Sequence, residues 1–317
     1  AHSSLQGMRF ARELCQVTDE WLGDLWMRAV EAVPLKKRAA LVAIGGYGRG
    51  ELAPYSDLDV VLLHDGVKNI DEFASKIWYP IWDANVKLGH SVSTIKQIVD
   101  LARTELDTAT AILTARHVAG DEELSRELRE TAVNTWKAST KNRLPELMRR
   151  VRERQATHGE TAFLLEPNLK EGYGGLRDIH ALTWAELGGL EISTSDRATL
   201  DAGTDVITSV RVALHRSAER PNEVLHLEEQ DAVAEACGYR SADALVSSLS
   251  SAARAIAWVG DEVWARVLAE SSPRRPDVAV APGVVLRRGE IHLDESVDVA
   301  ADPSLVFRVA ASAARQR

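Results

Sequence analysis

The sequence is poor in cysteine, has no long apolar run and carries no excess of positive charge. Its 317 residues include only two cysteines, Cys15 and Cys237, which make neither a disulfide framework nor a set of zinc ligands. No run approaches the roughly 18 apolar residues of a membrane span, and the amino terminus lacks the basic-then-apolar order of a signal peptide. These absences predict a soluble cytoplasmic protein with no membrane partner.

The charge balance excludes another class of function. A formal net charge of −9 and a pI near 5.6 argue against a general nucleic-acid-binding protein, whose affinity depends on lysine and arginine neutralising many phosphates. A local basic site for a single nucleotide stays open.

The pattern of apolar residues changes along the chain. Residues 5–33 predict an amphipathic helix that ends near Pro34, and short β-branched runs at 39–44, 58–63 and 90–95 predict strands around a helix at 70–88. Long helical patterns follow, at 96–117, 121–156, 177–188, 204–219 and 241–271, and after them come a linker at 271–277 and a small hairpin. We therefore expect an α/β core and then a mainly helical domain.

One stretch, AIGGYGRGELAPYSDLDVVLL at residues 43–63, carries the chemistry. It places four glycines in six positions ahead of two aspartates, Asp57 and Asp59, at the head of a predicted strand. The spacing excludes a dinucleotide fingerprint, because position 51 is Glu51, and a P-loop, because no Lys-Ser/Thr pair follows Gly50. An EF-hand loop is excluded as well, since the sixth place holds no glycine.

The two aspartates are predicted to point the same way. Positions i and i+2 of a strand lie on one face, so the carboxylates of Asp57 and Asp59 converge and call for a cation. A glycine turn beside them offers bare N–H groups to phosphate, which suits Mg²⁺ with a nucleoside triphosphate and favours nucleotidyl transfer. The alternative is that Asp57 only starts the strand and Asp59 faces solvent; the glycine pair and the apolar strand favour the site.

The same residues carry a family resemblance. Gly45-Gly46, a ten-residue spacer and Asp57-Leu58-Asp59 resemble the signature of the DNA polymerase β-like nucleotidyltransferase superfamily. The whole stretch, with EPNLKEGYGGLRDIHALTW at 166–184 and WDANVKLGHSVSTI at 82–95, is similar to the bifunctional PII uridylyltransferase/uridylyl-removing family. The resemblance implies an α/β (α+β) polymerase β-like core followed by a mainly α-helical domain.

The resemblance also implies a domain division and a reaction. The division is an N-terminal helix at 1–38, the nucleotidyltransferase core at 39–120, a helical domain at 121–272, and at 273–317 a small hairpin and linker toward a phosphohydrolase domain. The implied reaction transfers UMP or AMP from UTP or ATP, with Mg²⁺ or Mn²⁺, to a tyrosine of the PII signalling protein (the GlnB/GlnK type). The Ala- and Arg-rich composition favours ATP.

Site residues follow from the match, position by position. Asp57 and Asp59 are implied as catalytic residues and metal ligands. The residues implied to bind the nucleotide are Gly45, Gly46, Gly48, Ser56, Lys170 and Arg177.

One departure from the superfamily pattern keeps alternatives open. The later strand offers Gly89, His90 and Ser91 where most members have a third carboxylate, so either two aspartates suffice or Asp107 or Asp178 enters from a helix. A glutamine synthetase adenylyltransferase-like enzyme and a catalytically silent nucleotide-binding regulatory domain are the alternative functions. The histidines, including the His64-Asp65 pair, His180 and His215, are interpreted as structural or surface residues.

Overall fold

The computed structural model describes residues 6–271, 277–287, 290–294, 297–299 and 301–315. Most of the predicted linker at 271–277 lies outside these residues. The chain divides into two compact units, Ala1–Asp261 and Glu262–Arg317. The four-part division expected from the sequence stays a prediction.

A four-stranded mixed sheet forms the centre of the first unit. Its strands are β1 (Ala39–Ala43), β2 (Leu58–His64), β3 (Leu88–Ser93) and β4 (Arg116–Gly120), in the spatial order β3-β2-β1-β4. Strand β1 pairs antiparallel with β2 and β4, whereas β2 pairs parallel with β3. All five residues of β1 are buried, so the β-branched and alanine-rich run predicted as a strand is the core strand of the sheet.

Helices cover the face of the sheet that carries no aspartate. The amphipathic helix α1 (Gly7–Ala32) and helix α3 (Ile70–Asp83) pack there against alternate residues of β2, such as Val60. The rings of Trp26 on α1 and Phe73 on α3 meet edge to face, with centroids 4.9 Å apart. Burial of this apolar layer fixes which face of β2 is left to Asp59.

The remaining helices of the first unit follow in chain order. A short helical turn, α2 (Gly45–Gly48), links β1 to β2, and α4 (Ile95–Ala102) and α5 (Leu106–Ile112) lie between β3 and β4. The others are α6 (Glu122–His158), α7 (Leu176–Leu187), α8 (Thr194–Ala218), a 3₁₀ turn (Leu227–Glu229), α9 (Gln230–Ala236) and α10 (Ala242–Ser271). No helix among the described residues has the length and apolar character needed to cross a bilayer.

Among the described residues, the second unit contains the end of α10 from Glu262 onward, a small antiparallel sheet and one further helix. Strands β5 (Val278–Ala281), β6 (Val284–Arg287) and β7 (Glu290–Leu293) pair in that order, and α11 (Leu305–Arg315) follows them. The two strand-like runs that predicted a small hairpin correspond here to three strands, because the first run turns back at Gly283 between β5 and β6.

Several predicted boundaries are wrong, for identifiable reasons. The continuous helix expected at 96–117 is two short helices and strand β4, because β4 pairs with β1 and that contact overrides the local helical pattern. The glycine turn after β1, for which no helix was predicted above, is helical at Gly45–Gly48. Helix α8 begins at Thr194, where the Ser193 side chain accepts a hydrogen bond from the Asp196 N–H, instead of near 204.

Candidate active site

The carboxylate of Asp59 lies between two glycines. Gly45 opens the turn α2 with φ of +58°, and a Cβ built there would stand 3.0 Å from Asp59 Oδ2. Gly89 is the residue of β3 aligned with Asp59, and a Cβ on it would overlap Asp59 Oδ1. Both contacts require the smallest residue, because any side chain would displace the carboxylate.

Asp57 completes an acidic pair on the same side of β2. Its side chain is 57% exposed, with the Lys87 ammonium 3.8 Å from Oδ1. Burial, and then the charge of Asp57, raise the pKa of Asp59. A buried carboxylate beside a second negative charge is stabilised by a hard cation, which both side chains can reach as oxygen ligands.

A cavity of about 590 Å³ opens in front of the pair. It is lined by residues from the glycine turn, from β2, and from helices α5, α6, α7 and α8. Seven of the eight predicted site residues line it: Gly45, Gly46, Ser56, Asp57, Asp59, Lys170 and Arg177.

Gly48 is the predicted residue that is absent from this lining. A Cβ at Gly48 would overlap the carbonyl oxygen of Thr114 and approach that of Ala43 at 3.0 Å. Its small size therefore permits close packing of the turn α2 against the chain before β4, at a place away from the cavity.

Lys170 enters the cavity from the glycine-rich loop at 166–175, and Arg177 enters it from the first turn of α7, which follows that loop. The side-chain oxygen of Asn168 accepts hydrogen bonds from the N–H groups of Lys170 at 3.0 Å and Glu171 at 2.8 Å, which closes a tight turn. The Arg177 N–H donates to the Lys170 carbonyl at 3.0 Å, so the two cations share one backbone scaffold. Burial lowers the pKa of Lys170, and the Glu223 carboxylate partly opposes that effect.

The structure separates the two candidates for a third carboxylate. Asp178 is only 2% exposed and is held by Arg154, by Gln155 and by the Gly174 N–H, so it braces the loop and does not line the cavity. Asp107, in the first turn of α5, does line the cavity. Within the described part of the chain, no three acidic, histidine or cysteine side chains are grouped to hold a metal ion.

A charged group behind the glycine turn was not anticipated. Glu51 lies 2.7 Å from Arg49 Nε and 2.9 Å from His180 Nε2 on α7. Complete burial, with the charge of Arg49 next, lowers the pKa of His180 to about 4, so this imidazole is neutral at pH 7. The signal in the sequence was the tripeptide Arg49-Gly50-Glu51, because its two charged side chains are nearly buried in the structure.

The loop that carries Asp57 is anchored by helix α8. His215, fully buried on α8, contacts the carbonyl oxygen of Pro54, while Arg211 Nη2 binds Glu223 at 2.6 Å. Tyr55, next along the loop, has φ of +63°, a conformation that costs energy in a residue with a side chain. A helix 160 residues downstream thus fixes the approach to the acidic pair, and no local signal predicted it.

Two models of known protein families match separate parts of the chain. The family model described as a nucleotidyltransferase domain matches residues 27–111, which include the glycine turn and both aspartates. The fold and the site therefore define a nucleotidyltransferase. The model described as GlnD PII-uridylyltransferase matches residues 142–264, which include Lys170 and Arg177.

Curated relatives agree with that second model. A bifunctional uridylyltransferase/uridylyl-removing enzyme of Streptomyces coelicolor is 40% identical over 96% of this chain and 38% of the relative. Enzymes of the same name from Mycobacterium tuberculosis and Caulobacter vibrioides are 38% and 32% identical, over 87% and 74% of this chain and 36% and 27% of the relatives. The chain belongs to this family, and it spans less than two fifths of the length of these relatives.

Proposed function

We propose that this chain transfers UMP from UTP to a tyrosine of a PII signalling protein and releases pyrophosphate. The observation that carries the proposal is the acidic pair of Asp57 and Asp59, set against a glycine turn and facing Lys170 and Arg177 across one cavity. Carboxylates for a metal and cations for a triphosphate are the two parts that nucleotidyl transfer needs.

The acidic pair fits a divalent metal, Mg²⁺ or Mn²⁺. Its oxygens are hard ligands, and the raised pKa of Asp59 reflects burial and a neighbouring like charge that a cation would offset. When bound, such an ion activates the attacking hydroxyl and neutralises charge on the leaving group.

The other residues hold the nucleotide. Gly45 and Gly46 line the cavity, and in this proposal their N–H groups cradle phosphate oxygens while Lys170 and Arg177 balance the triphosphate charge. We include Ser56 in this set, although its hydroxyl also accepts a hydrogen bond from the Ala53 N–H at 3.0 Å and so shapes the loop.

The reaction is an in-line displacement at the α-phosphorus of UTP. The tyrosine oxygen forms a new P–O bond as the bond to pyrophosphate breaks, and the phenolic proton passes to water in the open cavity. Because the pKa of tyrosine is near 10, the hydroxyl has to be deprotonated as it attacks, which is the task of the acidic pair and its metal.

UTP is the proposed donor. The relatives and the family model both carry uridylyl names, and no relative named here carries an adenylyl one. The preference for ATP drawn from composition receives no support from these names.

Mass spectrometry of PII tests the proposal. PII is incubated with this chain and Mg²⁺, with UTP and ATP in separate tubes, and a uridylyl-sized increase with UTP alone is expected. An increase with ATP alone would replace the donor. No increase in either tube, with the chain folded and the nucleotide bound, would overturn the transferase in favour of a silent nucleotide-binding domain; transfer to glutamine synthetase would favour the adenylyltransferase alternative.

A further inference from the structure

Strand β3 is the outermost strand of the four-stranded sheet, and its outer edge is open. Its three middle residues, Gly89, His90 and Ser91, are exposed, and no other strand of the described chain pairs with that edge. An edge strand left uncovered offers a row of backbone donors and acceptors to another chain.

The backbone groups that face outward can be identified. The Leu58 N–H donates to the Lys87 carbonyl at 2.9 Å, which sets the phase of the parallel ladder between β2 and β3. Because residues of an edge strand bond alternately inward and outward, the N–H and carbonyl groups of Leu88, His90 and Val92 point away from β2.

Gly89 brings this edge next to the acidic pair. It is aligned with Asp59 and its missing side chain lies on the same face, since a Cβ there would overlap Asp59 Oδ1. Lys87, two residues earlier and hence on that face, reaches Asp57. Asp59 Oδ1 occupies the space over Gly89 that a side chain would otherwise fill, so an aromatic side chain from a further strand that covers this glycine would meet that carboxylate.

The opposite face of β3 adds an apolar contact. His90 packs against Trp78 and Trp82 of α3, with ring centroids 5.3 and 5.5 Å away. Trp82 and its neighbour Tyr79 are 42% and 61% exposed. Exposed aromatic rings beside an open strand are suited to the alternate side chains of an added strand.

We propose that the protein acceptor docks by adding an extended segment to the edge of β3, with its tyrosine aligned with Gly89. The tyrosine side chain then extends over Gly89 toward Asp57 and Asp59. The added strand would lie about 9.5 Å from β2, which is two strand spacings, and the length of a tyrosine side chain covers most of that distance. This rests on the proposed function and assigns where and how that function takes its acceptor.

Residue-resolved amide hydrogen exchange tests the docking. The full chain is measured alone, with Mg²⁺ and a non-hydrolysable UTP analogue, and with PII added. Protection is expected to rise at Leu88, His90 and Val92 when PII is added, whereas Gly89 and Ser91, whose N–H groups face β2, serve as internal controls.

A proline variant supplies the kinetic test. His90→Pro removes one outward N–H without removing a bond to β2, and His90→Ala is the matched control that loses the same side chain but keeps the N–H. The proline variant should lower kcat/KM for PII about tenfold or more relative to His90→Ala, the effect of one or two lost main-chain hydrogen bonds, with UTP affinity equal in both.

The outcomes separate this proposal from the function on which it rests. Uridylylation of PII by the wild type without protection at the three edge amides would overturn the docking and leave the transferase standing. So would equal kcat/KM for the two folded variants. Protection that needs no PII and grows with enzyme concentration would assign the edge to a second copy of the chain, and failure of the wild type to modify PII would overturn both proposals.

Discussion

The acidic side and the cationic side of the cavity are built by different means. Asp59 takes its position from strand β2, whose ladders with β1 and β3 decide which face it occupies, and Asp57 stands directly before that strand. Lys170 and Arg177 take theirs from a loop that closes through distant contacts, including a 2.8 Å hydrogen bond from the Leu169 N–H to the Glu223 carbonyl. Local spacing can therefore specify the first side, while the second depends on tertiary packing.

The largest expected effect comes from breaking the acidic side. Asp59→Asn should lower uridylylation of PII by about 10³-fold or more, because the metal loses charge stabilisation in the transition state. Pyrophosphate release with PII measures the loss, and circular dichroism checks the fold. Asp100→Asn is the control, since Asp100 pairs with Arg103 on the exposed surface of α4 away from the cavity, and it should cost less than about twofold. Near-normal rates for a folded Asp59→Asn would remove the acidic pair from the mechanism.

Breaking the cationic side should act on nucleotide binding. Lys170→Ala removes a half-buried ammonium from the cavity and should raise the KM for UTP by about 10- to 100-fold. Arg149→Ala is a matched control, since Arg149 pairs with Glu153 on the exposed face of α6. Steady-state kinetics against UTP compare the two, and equal KM values would show that the loop does not bind the triphosphate.

The contact between His180 of α7 and Glu51, behind the glycine turn, should be visible in the pH dependence of the free energy of unfolding. His180 has a pKa near 4 in the folded chain and an ordinary value of 6.5 when unfolded, so the unfolded state binds more protons between those values. The free energy of unfolding should fall as the pH drops from 6.5 to 4, by up to about 1.4 kcal/mol per pH unit from this group.

Urea denaturation at several pH values measures that slope. His180→Gln removes the titrating group and should give a shallower dependence than the wild type over the same range. Identical slopes would mean that His180 titrates normally in the folded chain.

The smallest effects distinguish two glycines of the turn. Gly48→Ala would press a Cβ onto the Thr114 carbonyl and should lower the free energy of unfolding by about 1–3 kcal/mol. At Gly46 the nearest atom, Arg49 Nη2, is 3.7 Å from a built Cβ, so Gly46→Ala should leave stability nearly unchanged and weaken UTP binding instead. Thermal melting and UTP titration of both variants test this prediction. Lower stability of Gly46→Ala together with weaker UTP binding by Gly48→Ala would contradict it.

The strand-borne part of the site was predictable because its determinants are close in sequence. The glycine pair, the spacer and the alternation of β2 placed Asp57 and Asp59 correctly on one side of the sheet. The fold class, an α/β nucleotidyltransferase core with helices, is confirmed by the family match and the mixed sheet.

The rest depended on contacts that no local pattern encodes. Strand β4 reads as helix because its five residues include two charged or polar side chains, and only its pairing with β1 makes it a strand. The sequence does not show that Asp178 has partners. In the fold its carboxylate accepts hydrogen bonds from Arg154 and from the Gly174 N–H. Gly48 lies among the glycines that were predicted to bind phosphate, yet a side chain at this position would contact the Thr114 carbonyl oxygen.

The contact between His215 and the Pro54 carbonyl limits how far this site can be treated as a module. A shortened chain ending at residue 120 would keep the glycine turn and both aspartates. It would lose the imidazole that holds the strained approach through Tyr55, along with Lys170 and Arg177. Transplanting the site into another scaffold would therefore require helix α8 to move with it.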